Sequence, residues 1–375
     1  MKNNTKLSTS MRKGLPCLSG WRIYATESNA YSDCTLIVPT YRRPHEMVAL
    51  LETLATLSDA PGEVVIVDGS PDESVEAAVK NWLPAQCLSF DLVYVKSPPG
   101  LTRQRNVGLD ASRGEIIFFL DDDCLPEPGY FESIRQVFID DQKREVGAVR
   151  GFLTNGIQQP LTRLWQLRYQ LGIVPRGEPG TYYPSGTSGT WNMVAPFKGV
   201  RNVDVLAGGA SAYRREVFLK HRFSEFFYGY AQGEDLEMSL RIGEDWKLLV
   251  CGDARVNHNH AEGGRPAGFP RGRMAVRNRY FIWKRHSPQA QAMDRLRFWA
   301  DHLLVIIYYL IGFITHPWRG YFFSYAAGTV YGAMECFISP PRHEELPARR
   351  EYNFQLEELV LPTMASVEKA TCNTQ

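Results

Sequence analysis

Gly114–Pro128 reads GEIIFFLDDDCLPEP, and the rest of the chain is organised around it. Ile116, Ile117, Phe118, Phe119 and Leu120 are apolar on both faces, as a central strand of a covered parallel sheet requires. The run stops abruptly at Asp121, Asp122 and Asp123. Three carboxylates at the end of a buried strand repel one another and lose hydration, so a hard cation is their natural neutraliser. Carboxylate oxygens suit Mg2+ or Mn2+, ions that bridge to phosphate groups. Pro126 and Pro128 delay the next helix and leave the acidic tip as a loop. The plain alternative is a solvated acidic turn before a helix N-terminus.

A chain of 375 residues holds one large α/β domain, or a domain with an appendage. Its 44% hydrophobic and 22% charged content is that of a globular protein. A net charge of +1 argues against a general nucleic-acid binder. The seven cysteines are scattered, odd in number and without a CxxC, which points to reduced thiols in a cytosolic compartment. Residues 1–32 are polar and basic, lack an apolar core of signal-peptide length, and read as a flexible lead.

Working outward, strands alternate with helical patterns. CTLIV (Cys34–Val38) is a strand stopped by Pro39-Thr40-Tyr41, and Met47, Leu50, Leu51, Leu54 and Leu57 follow at helical spacing. EVVIV (Glu63–Val67) ends in Asp68-Gly69-Ser70. Asp72–Trp82 is a helix, Asp91–Val95 a strand, and LTRQRNVGLDAS a helix carrying Arg103, Arg105 and Asn106 in its first turns. This alternation predicts parallel βαβ units, a Rossmann-like nucleotide-binding half with a mainly parallel central sheet. Ligands of such sheets bind beyond the carboxyl ends of the strands, where all three strand-end motifs fall.

The second half is less regular. Glu145–Phe152 reads as a strand and Leu161–Leu171 as a helix. Gly172–Gly199 is dense in Gly, Pro, Ser and Thr, a loop long enough to be either functional or disordered. Gly208-Gly209 permits a close backbone approach. Glu234-Asp235 opens a helix closed by Gly243, where helix capping alone would explain the two acids. His258 and His260 share a face of an extended segment, either as ligands or as structural histidines.

VPTYRRP, VIVDGSPDES, LTRQRNVGLDASRGEIIFFLDDDCLPEP, GGASAYRREVF and GEDLEMSLR, in this order, resemble the family-2 glycosyltransferases with the A-type glycosyltransferase fold. The resemblance covers about Thr35–His260 and departs in having a single Asp in VDGS. It implies a metal-dependent, inverting transfer of a sugar from a nucleoside-diphosphate-sugar to a hydroxyl of a glycan or glycolipid. Asp123 would bind the metal and Asp121 would face both ribose and ion, with Asp122 beside them and His258 or His260 completing the site. Asp68 would accept from the nucleobase or ribose, and Pro39, Thr40 and Tyr41 would flank the nucleotide. Arg103 or Arg105, with Asn106 beside them, would meet the diphosphate or lie on a surface helix face. Asp235 would be the base, with Glu234 its hydrogen-bonding neighbour.

These readings divide the chain into a lead (1–32), a catalytic domain (33–262, its nucleotide-sugar half 33–128 and acceptor half 129–262), a helical region (263–339) and a polar tail (340–375) expected to lack order. Arg265–Arg297 holds nine Lys/Arg against one acid, and the apolar runs Leu303–Ile314 and Tyr321–Ile338 follow, rich in aromatics. This suits a C-terminal membrane-associated appendage, peripheral or monotopic at the inner face of the plasma membrane. A hairpin packed on the protein, or one spanning twice, are the alternatives. Rival functions are a catalytically inactive membrane scaffold or glycan-binding relative, and a sugar nucleotidyltransferase, whose Gly-rich loop after the first strand is missing here. Oligomeric state is not legible.

Overall fold

The computed structural model describes residues 15–26, 29–155, 161–191, 194–259, 267–342 and 352–360. After β1 (Cys17–Ile23), the apolar runs form β2 (Cys34–Thr40), β3 (Glu63–Asp68), β4 (Asp91–Lys96) and β5 (Ile116–Leu120), with α1 (Pro44–Thr56), α2 (Ser74–Trp82) and α3 (Leu101–Ala111) between them. β5, β2, β3 and β4 lie side by side and parallel. Their side chains alternate between two cores. Leu36, Val64, Ile66 and Phe118 face α1, α2 and α4 (Tyr130–Asp140), whereas Ile37, Val65, Val67 and Phe119 face the side where α3 packs. Burial on both faces is why these strands read as continuous apolar runs.

The second half extends the same sheet. β6 (Cys124–Pro126) and β7 (Val146–Leu153) flank α4. After α5 (Arg163–Gln170) come a small hairpin, β8 (Tyr182–Tyr183) and β9 (Thr187–Ser188), then β10 (Val200–Val203), β11 (Ala210–Arg214), α6 (Val217–Lys220), α7 (Glu234–Ile242) and β12 (Lys247–His258). Three helices, α8 (Phe269–His286), α9 (Ala292–Thr315) and α10 (Tyr321–Ile338), precede β13 (Asn353–Glu358). The strand order is β10-β12-β7-β11-β5-β2-β3-β4-β1-β13, with β6 beside β12. β11 runs antiparallel to β5, so its start meets the carboxyl end of β5, with Ala210 opposite Leu120.

Several expectations are corrected here. The lead and the tail both enter the sheet: β1 pairs antiparallel with β4 and parallel with β13. Trp21 and Ile23 are buried, and Trp21 stacks on Tyr94 at 5.3 Å. Both strands alternate weakly, and their pairing lies more than three hundred residues apart in sequence, beyond the reach of local patterning. The strand expected to stop before Pro39 continues in register with β3 through Thr40. Within Gly172–Gly199, read as a loop either functional or disordered, the chain is clamped by the C-terminal helices: Trp283 Nε1 donates to the Pro184 carbonyl at 2.8 Å and Arg279 to that of Gly186 at 3.2 Å. The boundary at 262 is not one that packing respects, because Asn278 of α8 donates to the Gln232 carbonyl at 2.7 Å beside α7.

Asp301 anchors this helical region. It is 1% exposed and accepts from Arg168 and Arg279, each at 2.6 Å. Burial pushes its carboxyl up, but Arg279 and Arg168 overcome that and hold it at about 2, below its ordinary 3.8. A carboxyl depressed this way contributes about 2 kcal/mol above its unfolded-state value, and that contribution fades as pH falls from about 4 through 2. Asp301→Asn should therefore cost at least about 2 kcal/mol at neutral pH and flatten the acid limb of the stability curve, measured by urea unfolding across pH. An unchanged acid limb would refute the assignment.

Candidate active site

The carboxyl ends of β2 and β5 are locked together by their own side chains. Thr40 Oγ1 donates to Asp122 Oδ2 at 2.8 Å. Arg43 donates to Asp122 Oδ1 at 2.7 Å and to Asp123 Oδ2 at 3.4 Å. Burial pushes the Asp122 carboxyl up to about 7, against the opposing pull of Arg43 and Thr40. The middle aspartate thus fastens the two strand ends. Beside it opens a cleft of about 570 Å³, lined by Pro39, Thr40, Tyr41, Arg43, Asp121 and Asp122, and also by Tyr228, Tyr230 and Met274.

Asp121 and Asp123 pair with different residues, Arg105 and His258. Asp122 and Asp123 lie in a turn closed by Cys124 N–H donating to the Asp121 carbonyl at 3.0 Å, so the two-residue alternation of a strand does not apply. Asp123 turns instead toward β12. β6 pairs antiparallel with β12, placing Cys124 opposite His258. His258 Nε2 lies 3.2 Å from Asp123 Oδ1, and donor atoms of Asp123, Cys124 and His258 fall within 4.8 Å of one another. Burial raises the Cys124 thiol well above its ordinary range, and a soft sulfur is the donor least suited to a hard cation. Carboxylate and imidazole remain as donors, a set compatible with Mn2+ or Mg2+. His260 lies outside the described residues.

Asp121 faces the other way, toward α3 and α7. Arg105 is buried and donates to Glu234 Oε1 at 2.8 Å, with its second terminal nitrogen 3.5 Å from Asp121 Oδ1. Burial pushes the Glu234 carboxyl up to about 8, with the Asp235 charge adding to the rise and Arg105 opposing it. Asp235, half-buried at the start of α7, accepts from the Gly208 N–H at 2.6 Å through Oδ2. The paired glycines make this packing possible. A Cβ on Gly209 (φ +91°) would lie 2.9 Å from Asp121 Oδ2, and one on Gly208 would lie 3.3 Å from Asp235 Oδ2.

Other expected ligands are engaged within the fold. Asp68 is fully buried and accepts from Ser70 N–H, Tyr94 Oη and Lys96 Nζ at 2.8, 2.6 and 2.8 Å. It organises the end of β3 instead of facing the cleft, because burial demands that its charge be satisfied internally. Asn106 exchanges two hydrogen bonds with the Phe223 backbone, and Arg103 pairs with Glu225 at 2.9 Å. Composition alone did not single out Arg43, Tyr228 or Met274. Arg43 stood within VPTYRRP, next to the proline that opens α1, whereas Met274 reaches the cleft only because α8 folds back over it.

The family model described as Glycosyl transferase family 2 matches residues 35–222. The minor teichoic acid biosynthesis protein GgaB of Bacillus subtilis (strain 168) is 32% identical over 248 residues, covering 63% of this chain and 24% of that protein. The succinoglycan biosynthesis protein ExoM of Rhizobium meliloti (strain 1021) is 37% identical over 90 residues, covering 23% of this chain and 28% of ExoM. The chain thus spans only about a quarter of the length of these relatives. A solved mannosyltransferase from Pyrobaculum calidifontis, in complex with GDP-Man and Mn2+, aligns with a TM-score of 0.48 at 16% identity, over 84% of this chain and 90% of that one.

The buried Arg105–Glu234 pair yields a stability test. Arg105→Ala leaves a buried carboxyl without its partner and should cost about 3–5 kcal/mol. Adding Glu234→Gln replaces the stranded carboxyl with an uncharged amide and should restore at least about 1 kcal/mol, seen as coupling in a double-mutant cycle by urea unfolding. Strictly additive losses would contradict the pairing.

Proposed function

The chain belongs to glycosyl transferase family 2, and from that premise we propose that it transfers a sugar, with inversion, from a nucleoside-diphosphate-sugar to a hydroxyl acceptor. The observation carrying this reading is that Asp121 and Asp122 line the cleft between two further groups: Asp123 with His258, next along the chain, and Glu234, which Arg105 ties to Asp121. Asp123 and His258 would hold a divalent cation, whose role when bound is to neutralise the departing diphosphate. The mixed carboxylate–imidazole donor set favours Mn2+ over Mg2+.

Asp121 borders the cleft floor and would orient the donor, its position held by Arg105 and by its backbone N–H donating to the Gly209 carbonyl at 3.2 Å. Tyr41 and Tyr228 line the same cleft and offer ring faces against which a base can stack. Asp235 would take the proton of the acceptor hydroxyl. Its Oδ2 is oriented by Gly208 N–H, and burial pushes the neighbouring Glu234 toward its neutral form. Inversion needs only this one base, placed opposite the leaving group.

The acceptor class we infer is a growing polysaccharide, cell-surface glycan or glycolipid. Two relatives named for teichoic acid and succinoglycan biosynthesis support it. We infer that the chain works at the cytoplasmic face of a membrane, as a peripheral or monotopic protein, where such an acceptor would be presented.

A thermal-shift panel of UDP, GDP, TDP and CMP with Mn2+, Mg2+ or chelator tests the donor site. One nucleoside diphosphate with Mn2+ should stabilise the protein by about 3 kcal/mol at a hundredfold excess over its dissociation constant. Asp123→Asn should abolish that metal-dependent gain. Asp235→Asn should retain donor binding and lose transfer, since it removes only the base. A well-folded protein that answers to no nucleotide would sink the proposal.

A further inference from the structure

We propose that the α9–α10 hairpin docks in the plane of an anionic lipid leaflet and enters that leaflet without crossing the bilayer. The proposal deepens the membrane location inferred above by naming the surface, its depth and its lipid charge. α9 exposes Leu303, Ile307, Ile311 and Ile314, spaced as one helical face, and Ile314 is 76% exposed. α10 exposes Phe323, Val330, Met334, Phe337 and Ile338 at similar spacing, the last two 70% and 77% exposed. The opposite sides of both helices are covered. Tyr309 stacks on Tyr325 at 4.0 Å between them, and Gly328 and Gly332 of α10 lie close against the α8 backbone at Phe269 and Arg273. Two adjoining helices with one covered and one bare apolar side are a contact surface.

Depth follows from where charge is pinned. α9 has 24 residues and a mean hydropathy of 1.6 over its most apolar window, enough on composition to cross a membrane. Asp301 and His302, however, are buried in the protein, and Asp301 is held there by Arg168 and Arg279. Only Leu303–Thr315 remains for lipid, about 20 Å of helix against a hydrocarbon core of about 30 Å. α10 is limited in the same way, because Glu335 is tied to Arg273 and Arg277. A one-sided apolar stripe of that length lies in the interface.

The charge pattern selects the occupant. Residues 267–342 contain ten Lys/Arg against three acids, Asp294, Asp301 and Glu335. All three acids are already engaged by arginines, and Asp294 also caps α9. Lys284, Arg295, Arg319 and Arg342 stand exposed around the apolar face, with Trp318 75% exposed beside Arg319 at the hairpin turn. Lys284 and Arg295 also line a cavity of about 200 Å³ with Trp299 and Phe337, an aromatic hollow with a cationic rim suited to a lipid phosphate. A second copy of the chain would bring this basic rim against its own like, whereas an anionic leaflet complements it.

Flotation of the full chain with vesicles tests the proposal, comparing phosphatidylcholine alone with an equal mixture of phosphatidylcholine and phosphatidylglycerol. Binding should be at least tenfold stronger to the mixture, weaken in high salt and with Lys284→Glu/Arg295→Glu, and vanish with Ile307→Glu/Ile311→Glu. The Trp318 fluorescence component, taken as wild type minus Trp318→Phe, should be quenched by headgroup-level lipid quenchers more than by mid-bilayer ones. Stronger mid-bilayer quenching would overturn the shallow depth. Equal binding to both vesicles would overturn the charge argument. A stable dimer that Ile307→Glu/Ile311→Glu converts to monomer, without vesicle binding, would assign the face to a second copy. The nucleotide thermal shift should persist in all these variants, so failure of docking and failure of the donor site are read separately.

Discussion

A guanidinium buried away from water must be matched by carboxylates, and Arg105 meets that demand with one from each half of the site. Its partners are Asp121, at the end of the central strand, and Glu234, at the start of α7. Neither acid can move independently while the charge between them remains buried. The acidic loop after β5 and the start of α7 are therefore one electrostatic unit, although they are separated by more than a hundred residues. Gly208-Gly209 passes through the same space, and its lack of side chains is what lets the carboxylates approach β11.

The sheet supplies the rigid frame for this arrangement. β5 is the common neighbour of parallel β2 and antiparallel β11, so the carboxyl end of one strand and the start of another arrive at a single edge. Thr40, Arg43 and Asp122 then fasten β2 to the acidic tip, and β12 adds His258 through its pairing with β6. Side chains built on strand ends keep their geometry better than those on long loops, because both faces of the sheet are packed. The C-terminal helices complete the enclosure, with α8 contributing Met274 to the cleft and α9 anchored through Asp301. They are continuous with the catalytic body, and membrane contact at α9–α10 would orient the cleft relative to the leaflet.

Much of this was legible in residue order. Runs such as EVVIV and IIFFL state their own burial, since only a strand covered on both sides tolerates unbroken apolar character. The strand-end carboxylates and the acids opening α7 were visible for the same local reason. Asp68 and Asn106 have partners within the fold that sequence could not foretell, because a polar residue near a strand end looks alike whether it faces ligand or fold. Only the positions of Tyr94, Lys96 and the Phe223 backbone distinguish the two. The strand near each end of the chain was missed because a strand with weak alternation is defined by its partner, and each partner lay at the far end of the sequence.

By itself, then, the sequence determined the parallel α/β core, the family and the edge of the sheet where the site lies. These depend on periodicity, strand-end chemistry and ordered local motifs, all contained within short windows. Only the tertiary structure decided that Asp123 joins His258 instead of Asp121, that Arg105 binds two acids, and that α8 walls the cleft. Each of those facts is a contact between segments distant in the chain. Burial then sets its strength, because removing water is what makes a charge choose its partner.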